Sequence, residues 1–188
     1  MGLSVQQIKG CVLRSRLQFL EENVGRQAAE QLVNSLPADD QQKLKNVLNS
    51  QWYPFDLGTR LDEAIVRAVG RGDPEFFERL GEASAFRNLT TIHAAFVTEH
   101  DPHSFLRKAD EVYSAYYEKG HRDYRPVSAT SGVLTTTEAP ATTPGDCRTV
   151  VGWHRKALEI CGARDVEVVE EECRAKGGKV CRYRVEWQ

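Results

Sequence analysis

Apolar residues recur at steps of three and four through most of the first 120 positions. That spacing lines one face of a helix. Residues 17–25 and 26–36 follow it, and Gly25 sits where one helix would break from the next. Residues 37–50 open with Pro37 ahead of Asp39 and Asp40, a favourable helix entry. The aromatic stretch QWYPF at 51–55 reads as a packed corner between helices. Residues 57–72 put Leu57, Leu61, Ile65 and Val69 on one stripe. An Asp-Pro pair at Asp73 and Pro74 suits the start of a helix running to Phe96. Residues 102–120 turn Phe105, Leu106, Ala109, Val112, Tyr113 and Tyr116 inward, with Gly120 as the stop. Ahead of all these, residues 8–15 read as a short opening strand.

The pattern changes after Gly120. Residues 124–146 are rich in Thr and Ser, and their β-branched positions predict a strand over 127–137 followed by a proline-bearing loop. An amphipathic helix over 147–163 ends at Gly162. Two strands, 164–173 and 179–187, flank a Lys-Gly-Gly-Lys turn and read as a hairpin. The expected class is therefore α+β. A helical N-terminal part, residues 1–120, packs on a C-terminal β–α–β–β antiparallel sheet, residues 121–188, within one domain.

Composition narrows the function. Of 188 residues, 40% are hydrophobic and 28% charged, as in ordinary globular proteins. The net charge is −2 and the basic residues are dispersed, so no nucleic-acid footprint or polybasic membrane patch stands out. No apolar run reaches the length of a membrane span. Residues 1–14 lack the apolar core of a signal peptide, and Gly2 lacks the Ser or Thr at position 6 that myristoylation favours. The expected location is the cytoplasm, where thiols stay reduced.

There are five cysteines, and Cys147, Cys161, Cys173 and Cys181 lie in the last 42 positions. Helical spacing places Cys147, Val151, His154, Leu158 and Cys161 on one face. Strand alternation places Cys181 with Tyr183, Val185 and Trp187. Cys147, Cys173 and Cys181 can thus converge where the helix start meets the hairpin end, with Glu170 adding an oxygen. Zn²⁺ suits such a donor set, and a helix N-terminus would favour the Cys147 thiolate. In an uninterrupted strand Glu170 and Cys173 face opposite sides. The carboxylate joins only if the strand bends; otherwise Glu171 or His154 would take its place. The alternative is that these cysteines are small buried apolar residues. A further reading makes Cys173 and Cys181 a reversible redox pair. His93, His100 and His103 cluster near a helix junction and read as a solvated loop, with His93 packed in the core, rather than as a second metal site.

The stretch GWHRKALEICGARDVEVVEEECRAKGGKVCRYRV, in the last quarter of the chain, resembles the 4-vinyl reductase domain. The whole chain, including WYPFDLGTRLDEAI and HSFLRKADEVYSAYYEKG, is similar to a family of short proteins related to that domain and expanded in myxobacteria. The resemblance implies the nitric-oxide-signalling/Golgi-transport ligand-binding fold shared by haem nitric-oxide-binding domains and TRAPP core subunits. It also implies a zinc site formed by a Cys, a Glu and two further Cys, which map to Cys147, Glu170, Cys173 and Cys181. No haem is expected, because the Tyr-x-Ser-x-Arg motif of the haem-binding relatives is missing.

No nucleophile elbow, phosphate loop or HExxH motif is present, so a non-enzymatic module is expected, without catalytic residues. The resemblance points to a sensor with structural zinc and a small apolar or aromatic ligand held between helices and sheet. Its expected walls are Phe96, Phe105, Val112, Tyr116, Trp153 and Tyr183. Output would pass through a homodimer or another protein. The alternative is a scaffold or adaptor resembling the TRAPP subunits, with a filled core and no exchangeable ligand. A cavity on the order of several hundred cubic ångströms would separate the two.

Overall fold

The computed structural model describes residues 6–188. Residues 1–5, including the Gly2 of the myristoylation argument, lie outside the described residues.

Strand β1 (Gln7–Lys9) leads directly into α1 (Gly10–Val24). The expected opening strand over 8–15 is therefore mostly helix. Its stripe continues through Leu13 and Leu20, both fully buried, and that helical spacing outweighs the short apolar run. The QWYPF corner contains a strand, β2 (Trp52–Pro54), antiparallel to β1. Helices α2 (Arg26–Asn34) and α3 (Ala38–Leu44) precede it, and α4 (Phe55–Ala68) and α5 (Phe76–Leu89) follow. The helix expected to reach Phe96 stops at Leu89, and a separate 3₁₀ turn covers Ala94–Phe96. The long helix expected over 102–120 divides into α6 (Pro102–Arg107) and α7 (Ala109–Ser114). Asp101 caps α6 by accepting from the Ser104 backbone N–H, and Pro102 occupies its first turn.

The C-terminal sheet is antiparallel, as expected, but it has four strands where the sequence suggested three. The region expected as one strand is a hairpin, β3 (His121–Ser128) and β4 (Ser131–Thr137). The order across the sheet is β3-β4-β6-β5, with β5 (Glu167–Glu172) and β6 (Cys181–Glu186) forming the C-terminal hairpin. Strand β3 carries Pro126 and mostly exposed polar residues, so it lacks an alternating apolar signature. As an edge strand it tolerates both features.

Helix α8 (Pro144–Ile160) crosses to the sheet from a capping box of Thr143 and Asp146, with Pro144 in its first turn. It packs very closely on α5. A Cβ at Gly81 would lie 1.9 Å from the Thr149 carbonyl oxygen, and one at Gly152 would lie 2.0 Å from that of Glu78. Only glycine permits this approach. Arg155 then spans the two helices with ion pairs to Glu78 and Glu82. Behind α5, buried Arg16 pairs with Asp62 at 2.7 Å and donates to the Leu80 carbonyl. One apolar core joins Leu13, Leu61 and Leu80 of the helices to Leu134, Tyr183 and Val185 of the sheet. Among the described residues no helix is long and apolar enough to cross a membrane.

Candidate metal centre and adjoining interior

Cys147 lies in the first turn of α8, Cys181 opens β6, and Cys173 ends the run of β5. All three are buried, and their sulfurs lie within 4.8 Å of one another. Cys147 and Cys173 are 3.0 Å apart, and Cys147 and Cys181 are 3.5 Å apart. A tetrahedral shell with metal–sulfur bonds of about 2.3 Å sets sulfur separations at about 3.8 Å. The cluster is able to hold a metal ion after small adjustments.

The strand does bend at Glu170. In the β5–β6 ladder Glu170 pairs with Tyr183 and Glu172 pairs with Arg182, so Glu171 is the extra residue of a bulge. Tyr183 belongs to the buried face, and Glu170 shares it. Glu172 shares the outer face with Arg182, so the next residue, Cys173, points inward again. The bulge thereby removes the parity obstacle. Glu171 is left exposed and faces Arg184 across the hairpin. His154 is buried, but its Nε2 meets Arg122 Nη1 at 2.9 Å, and it stands outside the thiol cluster.

Glu170 approaches Cys147 and Cys173 but lies outside the set of mutual 4.8 Å contacts. One carboxylate oxygen, Oε2, pairs with Lys176; the other, Oε1, is buried without a hydrogen-bond partner. A buried carboxylate oxygen left unpaired is costly. Burial opposes its ionisation, but Lys176 and then the Cys173 and Cys147 thiols outweigh that and hold the carboxyl below its usual range. The turn that returns the chain to Cys181 is fixed locally. Gly177 adopts φ 90°, and the Glu172 carboxylate accepts the Lys179 backbone N–H at 2.8 Å.

The thiols do not share charge as the helix-dipole argument expected. Hydrogen bonding to Cys181, reinforced by burial, pushes the Cys147 thiol far up. The same contact lowers Cys181 to about 6, helped by the Arg174 backbone N–H, 3.5 Å from its sulfur. Burial raises Cys173. Cys147 is a donor in a chain that runs from Cys173 to Cys147 to Cys181. Cys11 and Cys161 are buried elsewhere and take no part.

The expected ligand walls divide. Val112, Tyr116 and Trp153 line one small interior space with Arg16, Tyr113, Tyr117 and Arg122. Tyr183 lines a second space, of about 20 Å³, beside Cys147 and Cys181. Phe105 stacks on Trp153 with ring centroids 6.2 Å apart. Phe96 packs by its edge on His93. The first space encloses about 30 Å³, room for about two waters. It falls far below the several hundred cubic ångströms expected for an aromatic ligand. Aromatic rings close it: Tyr113 stacks on Tyr117 at 4.8 Å, and Tyr116 meets Trp153 edge-on at 5.6 Å. The three histidines do not converge. His93 bonds Tyr116 Oη at 2.8 Å, and His103 bonds Tyr124 Oη at 2.6 Å. Arg122 and Lys176 were not legible as site residues. Arg122 lies on the unrecognised β3, and Lys176 approaches Glu170 only through the bulge and turn.

The architecture is that of the H-NOX fold. The chain superposes on the unliganded Fe(II) H-NOX protein from K. algicida with a TM-score of 0.73 at 14% identity, covering 96% of each chain. The H-NOX protein from S. oneidensis in its Fe(II)NO state gives 0.70 at 13% identity, covering 96% of this chain and 99% of that one. An oxygen-binding H-NOX domain related to soluble guanylate cyclases gives 0.70 at 11% identity, covering 96% of this chain and 95% of that one. At these identities the likeness is one of fold. Comparison with curated proteins gives no match. Residues 3–188 match the family described as "Protein of unknown function (DUF2378)", and the chain belongs to that family.

Proposed function

We propose that this chain is a non-enzymatic sensor or binding module in which Cys147, Cys173, Cys181 and Glu170 hold a structural zinc ion. The observation that carries the reading is three buried thiols converging beside an unpaired, buried carboxylate oxygen. Three sulfurs and an oxygen suit Zn²⁺, and a closed shell of four protein ligands is structural rather than catalytic. The ion would tie the C-terminal hairpin to α8. The 4-vinyl reductase resemblance supports the same four residues. Elemental mass spectrometry of untagged protein, purified without chelators, tests it. About one zinc per chain is expected; less than about 0.2 per chain defeats the reading.

Haem is left out of the proposal. A ligand of haem's size needs a pocket of several hundred cubic ångströms, and the space lined by Val112, Tyr116 and Trp153 encloses about 30 Å³. His93 is engaged by Tyr116. The small interior also favours a second reading, a scaffold with a filled core and a protein partner or a second copy as its output. Native mass spectrometry separates the two. An aromatic or apolar molecule travelling with the chain supports the sensor, and a bare chain supports the scaffold.

A further inference from the structure

Arg122 is a buried cation without a buried anion to match it. It is 7% exposed, and among the described residues it forms no ion pair with a carboxylate. Nε donates to Thr136 Oγ1 at 2.8 Å, Nη1 donates to His154 Nε2 at 2.9 Å, and the guanidinium lies 4.9 Å from the Tyr113 ring centroid. Accepting at Nε2 leaves the His154 proton on Nδ1, so that ring is neutral. A buried, uncompensated guanidinium is destabilising. The other interior arginine, Arg16, has Asp62.

Sheet register shows what Arg122 faces. Arg122 pairs with Thr136 across β3 and β4, and Thr136 pairs with Cys181 across β4 and β6. The three residues form one row on the buried face. The hydrogen bond to Thr136 holds the guanidinium beside that middle residue, and Arg122, Cys147 and Cys181 line the same 20 Å³ space. Asp146 also lines that space, but its carboxylate is occupied by the backbone N–H groups of Thr142 and Thr143 and by the Thr59 hydroxyl. On the other side of the cluster, Lys176 pairs with Glu170 from the surface.

Three thiolates and one carboxylate around a divalent ion leave two excess negative charges. We infer that Arg122, from the interior, and Lys176, from the surface, are the counter-charges that neutralise the metal-loaded site. The inference rests on the zinc reading and assigns residues beyond the four ligands. Neither residue touches the ion; both act through the ligands. Such partners typically govern metal affinity by 10–100-fold. The site is also matched to a divalent ion, since any other ionic charge would leave the buried shell unbalanced.

The test is zinc affinity by competition with a chromogenic chelator, together with thermal unfolding of zinc-loaded and zinc-free protein. Arg122→Met should weaken zinc by about 10–100-fold, and Arg122→Lys should restore most of it. Arg122→Met should also lower the melting temperature of the loaded protein more than that of the zinc-free protein. A purely structural role would lower both equally. Zinc affinity within about threefold of wild type in folded Arg122→Met would overturn the inference. If Arg122→Met does not fold, the exposed Lys176→Met decides: a loss of about tenfold upholds the counter-charge account, and unchanged affinity sinks it. Wild-type protein that takes up no zinc brings down the parent reading as well, and this shows before any variant is made.

Discussion

Two neighbouring parts of the interior end in opposite states. Around Trp153, aromatic rings stack and meet edge-on until about 30 Å³ is left. At the cysteine corner, one wall away, three sulfurs crowd within 4.8 Å and a carboxylate oxygen has no partner. Both parts are buried, and both lie where helices meet the sheet. The first is filled mainly by aromatic rings, with Arg16 and Arg122 at its margin. The second gathers thiols and a carboxylate, donor groups that gain little from burial and that suit a divalent ion. The contrast teaches that burial by itself does not mark a candidate site; donor atoms gathered together do.

The contrast can be broken by experiment. The largest effect should follow from losing the ion. Cys173→Ser or Cys147→Ser should each lower the melting temperature by about 10 °C or more, because a structural metal contributes directly to folding free energy. The double variant should lose little beyond either single one, since both remove one shared site. Losses that add would reduce the corner to ordinary packing.

Next comes the aromatic part. Phe105→Ala should cost about 3–5 kcal/mol in denaturant unfolding, the usual range for emptying a buried ring. Its zinc content should stay at one per chain. Loss of zinc in that variant would mean that the two regions are not independent.

Gly152→Ala should cost about 1–3 kcal/mol by overpacking, because its Cβ would meet the Glu78 carbonyl. Zinc should again be retained, although Gly152 lies only five residues beyond Cys147. Chemical denaturation with parallel metal analysis checks both points.

The smallest effect concerns the zinc-free corner. Cys181 is lowered to about 6, chiefly by the Cys147 thiol. A depressed value means that its contribution to stability is fully present above the unfolded thiol value, 9.0, and is lost as pH falls through about 6. The stability of chelated protein should therefore rise between pH 6 and 9, and Cys181→Ser should flatten that rise. Ultraviolet thiolate absorbance titrating near pH 6, absent in Cys181→Ser, gives a second reading. A first thiolate appearing only near pH 9 would contradict this charge distribution.

Much of the fold was legible where one face of an element is buried continuously. The Leu57, Leu61, Ile65 stripe and the C-terminal hairpin both announce themselves by period. Strand β3 does not, because its only buried residue is Arg122 and the rest of the strand is half-buried or exposed. Helix α1 was obscured because its opening residues are buried on several sides, including Ser15 and Arg16, which blurs the helical contrast. At the site, alternation along β6 and spacing along α8 brought Cys147 and Cys181 to one place. The bulge at Glu171 could not be read, because it depends on how β5 registers with β6 rather than on any residue type. The size of the interior was equally hidden: the sequence supplied the rings, and only their stacking shows how little space they leave.

The central claim is a four-ligand ion at the cysteine corner, and zinc-edge X-ray absorption of the purified chain tests it most directly. The account predicts one zinc with three sulfurs at about 2.3 Å and one oxygen at about 2.0–2.2 Å. A zinc-free chain, or a shell of nitrogen and oxygen with fewer than three sulfurs, would contradict it.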